Sequence, residues 1–194
     1  MNIQVICDVG GYVFCMEGGL VSSIENGTAE SPLVGAPEVC EGVINFRGTM
    51  VPIISLRKLF KAPGEDLKFS QIVYMKCKAG TMGFRVDKVI EVGDIPAESF
   101  HSIPVVVSAG ETAYVKGVAN HNGRLVIQAD HNRLLSRGDM AAIRECLEAV
   151  EAAKRAEEEA ARKAAEEEAK KAEEEAAEDK ATEEEAAEDN SSEG

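Results

Sequence analysis

Tryptophan is absent from the 194 residues, and aromatic side chains make up only 5% of them. So little aromatic surface excludes the stacking platforms that hold single-stranded nucleic acid. A net charge of −14 excludes the basic face that nucleic acid or an anionic membrane surface requires. The cysteines (Cys7, Cys15, Cys40, Cys77 and Cys146) are odd in number and form no C-x-x-C pair. Neither a zinc site nor a dithiol redox centre is expected of them, and they read as small core hydrophobes kept reduced. His101, His121 and His131 stand in no H-x-x-x-H or H-E-x-x-H spacing, and neither G-x-x-x-x-G-K-[ST] nor G-x-G-x-x-G occurs. No catalytic constellation, metal centre or cofactor site is therefore expected, and the chain does not read as an enzyme. It opens without a basic region followed by an apolar run, and no segment approaches the roughly 20 apolar residues of a membrane span. The expectation is a cytoplasmic protein without direct membrane insertion.

The charge is unevenly spread. Residues 1–140 carry a net charge of −2 and residues 141–194 a net charge of −12. A near-neutral body is thus followed by a strongly acidic tail. Within the body, β-branched and apolar runs at 3–7, 12–16, 20–24, 43–46, 50–56, 72–76, 82–86, 114–119 and 125–129 are separated by turn residues, among them Gly10–Gly11, Ala79–Gly80 and Asn122–Gly123. With about ten short strands and no β-α-β alternation, the body is expected to be all-β. A polar loop with Pro63 and Gly64 and an irregular segment over 93–110 that includes Val105–Val107 are expected between strands.

Ser136-x-x-Asp139 has the form of a capping box. Met140, Ile143, Leu147 and Val150 follow on one helical stripe, which predicts a docking helix over 139–150. Beyond it the apolar positions are alanine only. Glu158–Arg162, Glu159–Lys163, Glu166–Lys170 and Glu167–Lys171 are i,i+4 pairs, so the tail over 151–194 is expected to be helical without a zipper seam, then disordered from Lys180 onward.

The most informative stretch is GVINFRGTMVPIISLR, from Gly42 to Arg57. Its two apolar runs predict a hairpin whose loop is Arg47–Gly48–Thr49, with Arg47 presented at the tip. Pro52 predicts that the second strand lies at a sheet edge or beside a bulge. The stretch resembles the signature of the CheW-type chemotaxis coupling family at Gly42, Val43, Asn45, Arg47, Gly48, Val51, Pro52, Leu56 and Arg57. It departs at Phe46, usually leucine, and at Ser55, usually aspartate. GFRVDKVIEV resembles a second run of that family at Gly83, Val86, Asp87, Val89 and Val92. The segment from Tyr114 to Ser136 is similar to its last hairpin and short helix. A glutamate-bearing segment of the family is replaced here by Val21–Ser22–Ser23–Ile24.

The resemblance implies two packed, small, five-stranded SH3-like β-barrels in a domain spanning 1–138, followed by the C-terminal helix and acidic tail. It implies an adaptor that bridges a chemoreceptor cytoplasmic tip to the regulatory domain of a CheA-type histidine kinase. It also leaves room for a scaffold in a non-motility receptor–kinase pathway or an inhibitory variant. The residues it assigns to partner binding are Gly42, Val43, Asn45, Arg47, Gly48, Ile72, Gly83, Val86, Val89 and Val92, with the valines split between core and contact surface.

Overall fold

The computed structural model of the chain describes residues 1–63, 70–102 and 114–189. Gly64 and the 103–110 part of the linking segment, with Val105–Val107, lie outside the described residues. Ten strands are present among them: β1 (Ile3–Val9), β2 (Tyr12–Glu17), β3 (Val21–Asn26), β4 (Cys40–Phe46), β5 (Thr49–Ser55), β6 (Gln71–Cys77), β7 (Gly80–Val86), β8 (Lys88–Asp94), β9 (Val115–His121) and β10 (Arg124–Ala129). A single helical turn, α1 (Leu56–Leu59), follows β5, and a long helix, α2 (Arg137–Asp189), follows β10.

The strands form two five-stranded sheets, ordered β8-β1-β2-β10-β9 and β3-β6-β7-β5-β4. The second, the central barrel, uses five consecutive strands, whereas the first, the terminal barrel, takes strands from both ends of the domain. Each sheet is drawn round by an isolated bridge from beyond its first-ordered strand to its last. Ser31 and Val43 exchange hydrogen bonds of 2.9 and 2.8 Å in the central barrel, and His101 and Val118 exchange bonds of 2.8 and 3.0 Å in the terminal one. The all-β body with a C-terminal helix is therefore as the residues and the resemblance led one to expect.

The two barrels share one topology, cut at different points. Strands β3, β4, β5, β6 and β7 correspond in sheet position and direction to β8, β9, β10, β1 and β2, including the single parallel pairing, β5 with β7 and β10 with β2. The bulges correspond as well: Ser22 is skipped between β3 and β6 as Ile90 is between β8 and β1, and Glu41 as Lys116 is between the hairpin strands. GVINFRG at 42–48 thereby superposes on GVANHNG at 117–123.

Three clusters make the core. Ile6, Cys15, Ile95, Ala119 and Val126 fill the terminal barrel, and Val51, Ile53, Ile72 and Tyr74 fill the central one. The largest cluster joins Cys7, Val9, Phe14 and Met16 to Ile54, Leu56, Val73, Met75, Phe84 and Val86, which puts it between the barrels. Strands β1, β5 and β6 are consequently buried on both faces, which is why their sequences run apolar with little alternation.

The structure corrects several sequence expectations. The loop of the β4–β5 hairpin has two residues, since Phe46 pairs with Thr49. Strand β5 lies inside its sheet between β4 and β7, so of the two settings expected for Pro52 the edge is excluded and the bulge holds: the Glu41 bulge stands opposite Ile53 and Ile54, and parallel pairing with β7 begins only at Ile53. Strand β8 is not among the expected apolar runs; GFRVDKVIEV holds it together with the end of β7, which lies in the other barrel, with Asp87 between them.

Gly42 is required by a close approach. Its φ is +156°, and a Cβ there would stand 2.3 Å from the Ser31 carbonyl oxygen that bonds Val43. Gly42→Ala is expected to cost about 2–3 kcal/mol. That lowers the melting midpoint by about 2–4 °C per kcal/mol. Gly117→Ala, where the added atom would meet the His101 oxygen at 3.1 Å, should cost clearly less. Equal melting curves for the two variants would contradict this account.

A compact unit spans Met1–Glu148 and a second begins at Ala149. In the first, Ser136 Oγ accepts a 3.0 Å bond from the Asp139 amide and opens α2, whose Ile143, Met140 and Leu147 pack on the core cluster between the barrels. In the second, Glu159 pairs with Lys163 at 2.8 Å, while Glu158 pairs back to Lys154 at 3.8 Å instead of forward to Arg162. The helix continues to Asp189, past Lys180 where the acidic balance predicted disorder. Alanine and glutamate both favour helix, and no glycine or proline interrupts the run. A chain ending at Val150 should melt within about 2–4 °C of the full chain, the effect of 1 kcal/mol in a domain of this size. A molten or insoluble truncated protein would refute the independence of the body.

Candidate functional site: a partner-binding hairpin

Arg47 and Gly48 have φ of +53° and +85°, the paired left-handed conformations of a two-residue hairpin turn whose twist matches the strands it joins. The Asn45 side-chain oxygen accepts a 2.9 Å bond from the Gly48 amide and fixes that turn. A left-handed conformation is unusual for arginine, and Asn122 occupies the same place in the terminal barrel.

The tip is backed by rings. The Arg47 guanidinium carbon lies 4.9 Å from the Phe46 ring centroid, and Phe46 stacks on Tyr74 at 3.9 Å and 12°. Tyr74 is paired across β6–β7 with Gly83. A Cβ on Gly83 would meet Ile53 Cδ1 at 2.5 Å and Tyr74 Cε1 at 3.4 Å, so the absence of a side chain leaves room for that ring. Burial raises the Tyr74 phenol above its ordinary pKa, with Glu25 adding to the shift and Arg85 opposing it. The guanidinium thus sits at the end of a packed column, Gly83–Tyr74–Phe46–Arg47.

The residues expected to bind partners divide sharply by exposure. Asn45, Arg47 and Gly48 are exposed at the hairpin. Gly42, Val43, Ile72, Gly83 and Val86 are buried in or behind the central barrel, where they can only shape the surface from below. Val89 is half-buried against the core between the barrels, and Val92 is exposed, but both lie on β8 of the terminal barrel. The ten residues therefore belong to two surfaces.

A charge network escaped the sequence reading. Arg57 grips Asp87 through two nitrogens, one at 2.8 Å, and Asp87 also accepts a 2.7 Å bond from the Gly10 amide. Arg85 pairs with Glu30 and Glu41 and donates to Ser70 Oγ at 2.8 Å, while Lys58 stands 3.6 Å from Glu41. Arg57, Asp87, Arg85, Glu30 and Glu41 line a cleft of about 170 Å³ with Ser55, whose hydroxyl caps α1. The signal available beforehand was the pair of charges in the apolar run GFRVD, which a core strand tolerates only when they are matched.

No group of three or more His, Cys, Asp or Glu among the described residues could hold a metal ion. Burial pushes the Cys15 thiol up to about 12 and the Cys77 thiol up to about 11, so neither supplies a thiolate at neutral pH. No helix among the described residues is long and apolar enough to cross a membrane.

Against known proteins, the model of the CheW-like domain matches residues 4–139. The chain is 29% identical over 118 residues to the chemotaxis protein CheW of Thermotoga maritima, covering 59% of this chain and 77% of that protein. It is 30% identical over 112 residues to the chemotaxis protein CheW of Klebsiella aerogenes, covering 57% and 68% respectively. The fold is similar to the crystal structure of scaffolding protein TtCheW from Thermoanaerobacter tengcongensis, with a TM-score of 0.64 at 24% identity over 71% of this chain and 90% of that one.

Proposed function

The chain belongs to the CheW-like domain family, and on that premise we propose that it is a cytoplasmic chemotaxis adaptor coupling chemoreceptor tips to a CheA-type histidine kinase. The observation that carries the reading is the Arg47 tip. A cation is held in an uncommon backbone conformation and backed by a column of rings, so it is offered to solvent from a rigid support. Rigid presentation lowers the ordering cost of association, which favours a binding role for the hairpin. We assign Asn45, Arg47 and Gly48 to the contact itself, with Gly42, Val43, Ile72, Gly83 and Val86 as its support.

Val92 belongs to a second surface on the terminal barrel, where Ile3, Tyr12 and Leu125 are also exposed. Apolar side chains on one barrel suit a second, weaker contact, and two weak contacts together give an array its strength. Residues 1–138 carry both contacts in this reading, helix 139–150 completes the core, and 151–194 is an accessory tail. The role involves no catalytic step.

The test is co-purification of the chain with a kinase regulatory domain and with a receptor cytoplasmic fragment, followed by kinase activity in the three-component mixture. Receptor-dependent stimulation is expected only when this chain is present. Failure to retain either partner would refute the adaptor role.

A further inference from the structure

Two cysteines far apart in the chain converge on the core between the barrels. Cys40 opens β4, is paired with Ile54 of that core cluster, and packs its own side chain against the cluster. Cys146 stands one helical turn beyond Ile143 on α2 and next to Leu147, and both of those residues pack on the same cluster. The loop that leads into β4 runs against Cys146, since a Cβ on Gly35 would stand 3.6 Å from Cys146 Sγ. Two turns hold that loop, with the Ala36 amide donating to the Leu33 carbonyl at 3.2 Å and the Cys40 amide to the Pro37 carbonyl at 2.8 Å. Burial raises the Cys40 thiol above its ordinary pKa, and the nearness of Cys146 adds to the rise. Both residues are half-buried, so a small oxidant in solution reaches them. The other thiols are placed differently. Cys7 lies in the cluster between the barrels and Cys15 inside the terminal barrel, on opposite faces of the β1–β2 hairpin. Burial alone raises Cys77, with no contribution from another thiol.

We propose that Cys40 and Cys146 form a reversible disulfide that fastens α2 to the start of β4 when the protein meets a glutathione-type disulfide oxidant. Cys146 attacks one sulfur of glutathione disulfide as its thiolate. The bond between the two glutathione sulfurs breaks, and one glutathione thiolate leaves and takes a proton from solvent. The Cys40 thiol then gives its proton to solvent, and its sulfur displaces the second glutathione from Cys146. Two protein thiols are thereby oxidised to one disulfide, and one glutathione disulfide is reduced to two thiols. The new bond ties the helix that covers the core to the strand that leads to the Arg47 turn. It closes a loop holding most of the domain, which restricts the unfolded chain and leaves the folded contacts as they are.

The probe is glutathione disulfide, added to the reduced full chain, followed by alkylation of the remaining thiols and peptide mapping by mass spectrometry. One intramolecular link between Cys40 and Cys146, reversed by dithiothreitol, is expected. In urea the same treatment should favour Cys7 with Cys15, the pair closest in sequence, because short loops close most readily. The linked protein should melt about 4–8 °C above the reduced one. Cys40→Ser and Cys146→Ser should each remove both the link and the rise in melting, while Cys77→Ser keeps both. Cys146→Ala repeats the test without setting a hydroxyl beside the core. Glutathione adducts that never resolve into the link, a link from either cysteine to Cys77, the same link dominating in urea, or equal melting of the linked and reduced chains would overturn the proposal. The experiment needs neither kinase nor receptor, so its outcome is independent of the adaptor reading.

Discussion

Arg47→Glu is expected to abolish receptor-dependent kinase stimulation in a protein that still melts close to the parent. The stability side follows from the geometry. The residue is exposed, forms no ion pair among the described residues, and gains about 0.5–1 kcal/mol from its position over Phe46. Against that gain stands a left-handed conformation that costs a side-chain-bearing residue about 1–2 kcal/mol. Glutamate bears that same cost, so only the gain over Phe46 is lost, and the melting midpoint should move by no more than about 2–4 °C. The binding side differs in scale. Reversing a charge that meets a carboxylate in a desolvated interface costs about 2–5 kcal/mol, enough to empty a weak complex. Arg47→Asn is the informative companion, because asparagine is suited to the turn, as Asn122 shows in the other barrel. It should be at least as stable as the parent and equally uncoupled. Full stimulation by a folded Arg47→Glu protein would reduce the hairpin to a structural element.

Asp87→Ala should be among the most damaging single substitutions in the body. The side chains of Arg57 and Asp87 are 13% and 8% exposed, so removing the carboxylate takes away both of its bonds to the guanidinium in a poorly hydrated place. Breaking a buried pair from one side costs about 3–5 kcal/mol. Asp87 also accepts from the Gly10 amide in the terminal barrel, while its own amide donates to Asp8 at 3.1 Å. It therefore ties the β1–β2 hairpin to the point where the chain leaves one barrel for the other. A melting midpoint lowered by at least about 6 °C is expected, from 3 kcal/mol at about 2 °C per kcal/mol. Arg57→Met with Asp87→Leu should recover much of the loss, since an apolar pair of similar volume strands no charge. An Asp87→Ala protein that melts with the parent would show that water reaches the pair freely.

Hairpins were legible in the sequence because their chemistry is local. Gly10–Gly11, Gly48 and Asn122–Gly123 mark turns, since few residues tolerate positive φ, and the structure places a turn at each. The same holds for the start of α2, where Ser136 and Asp139 satisfy each other within one turn. A repeat was legible too and went unread: GVINFRG and GVANHNG differ at three positions and mark equivalent hairpins.

The tertiary structure alone decided which strands pair at a distance and which faces are covered. Nothing near Gly83 announces that it lies beneath Tyr74, nor does Phe14 announce its pairing with Ile127. Packing one barrel on the other buried both faces of β1, β5 and β6. Ile72 became core inside the central barrel and Val86 between the barrels, while Val92 was left exposed on the terminal barrel. By itself the sequence determined the turns, the all-β class, the helix start and the acidic tail, because each depends on φ preference, capping or charge within a few residues. Exposure, ion pairing and the column behind Arg47 depend on side chains brought together from distant strands, and only the closed barrels bring them together.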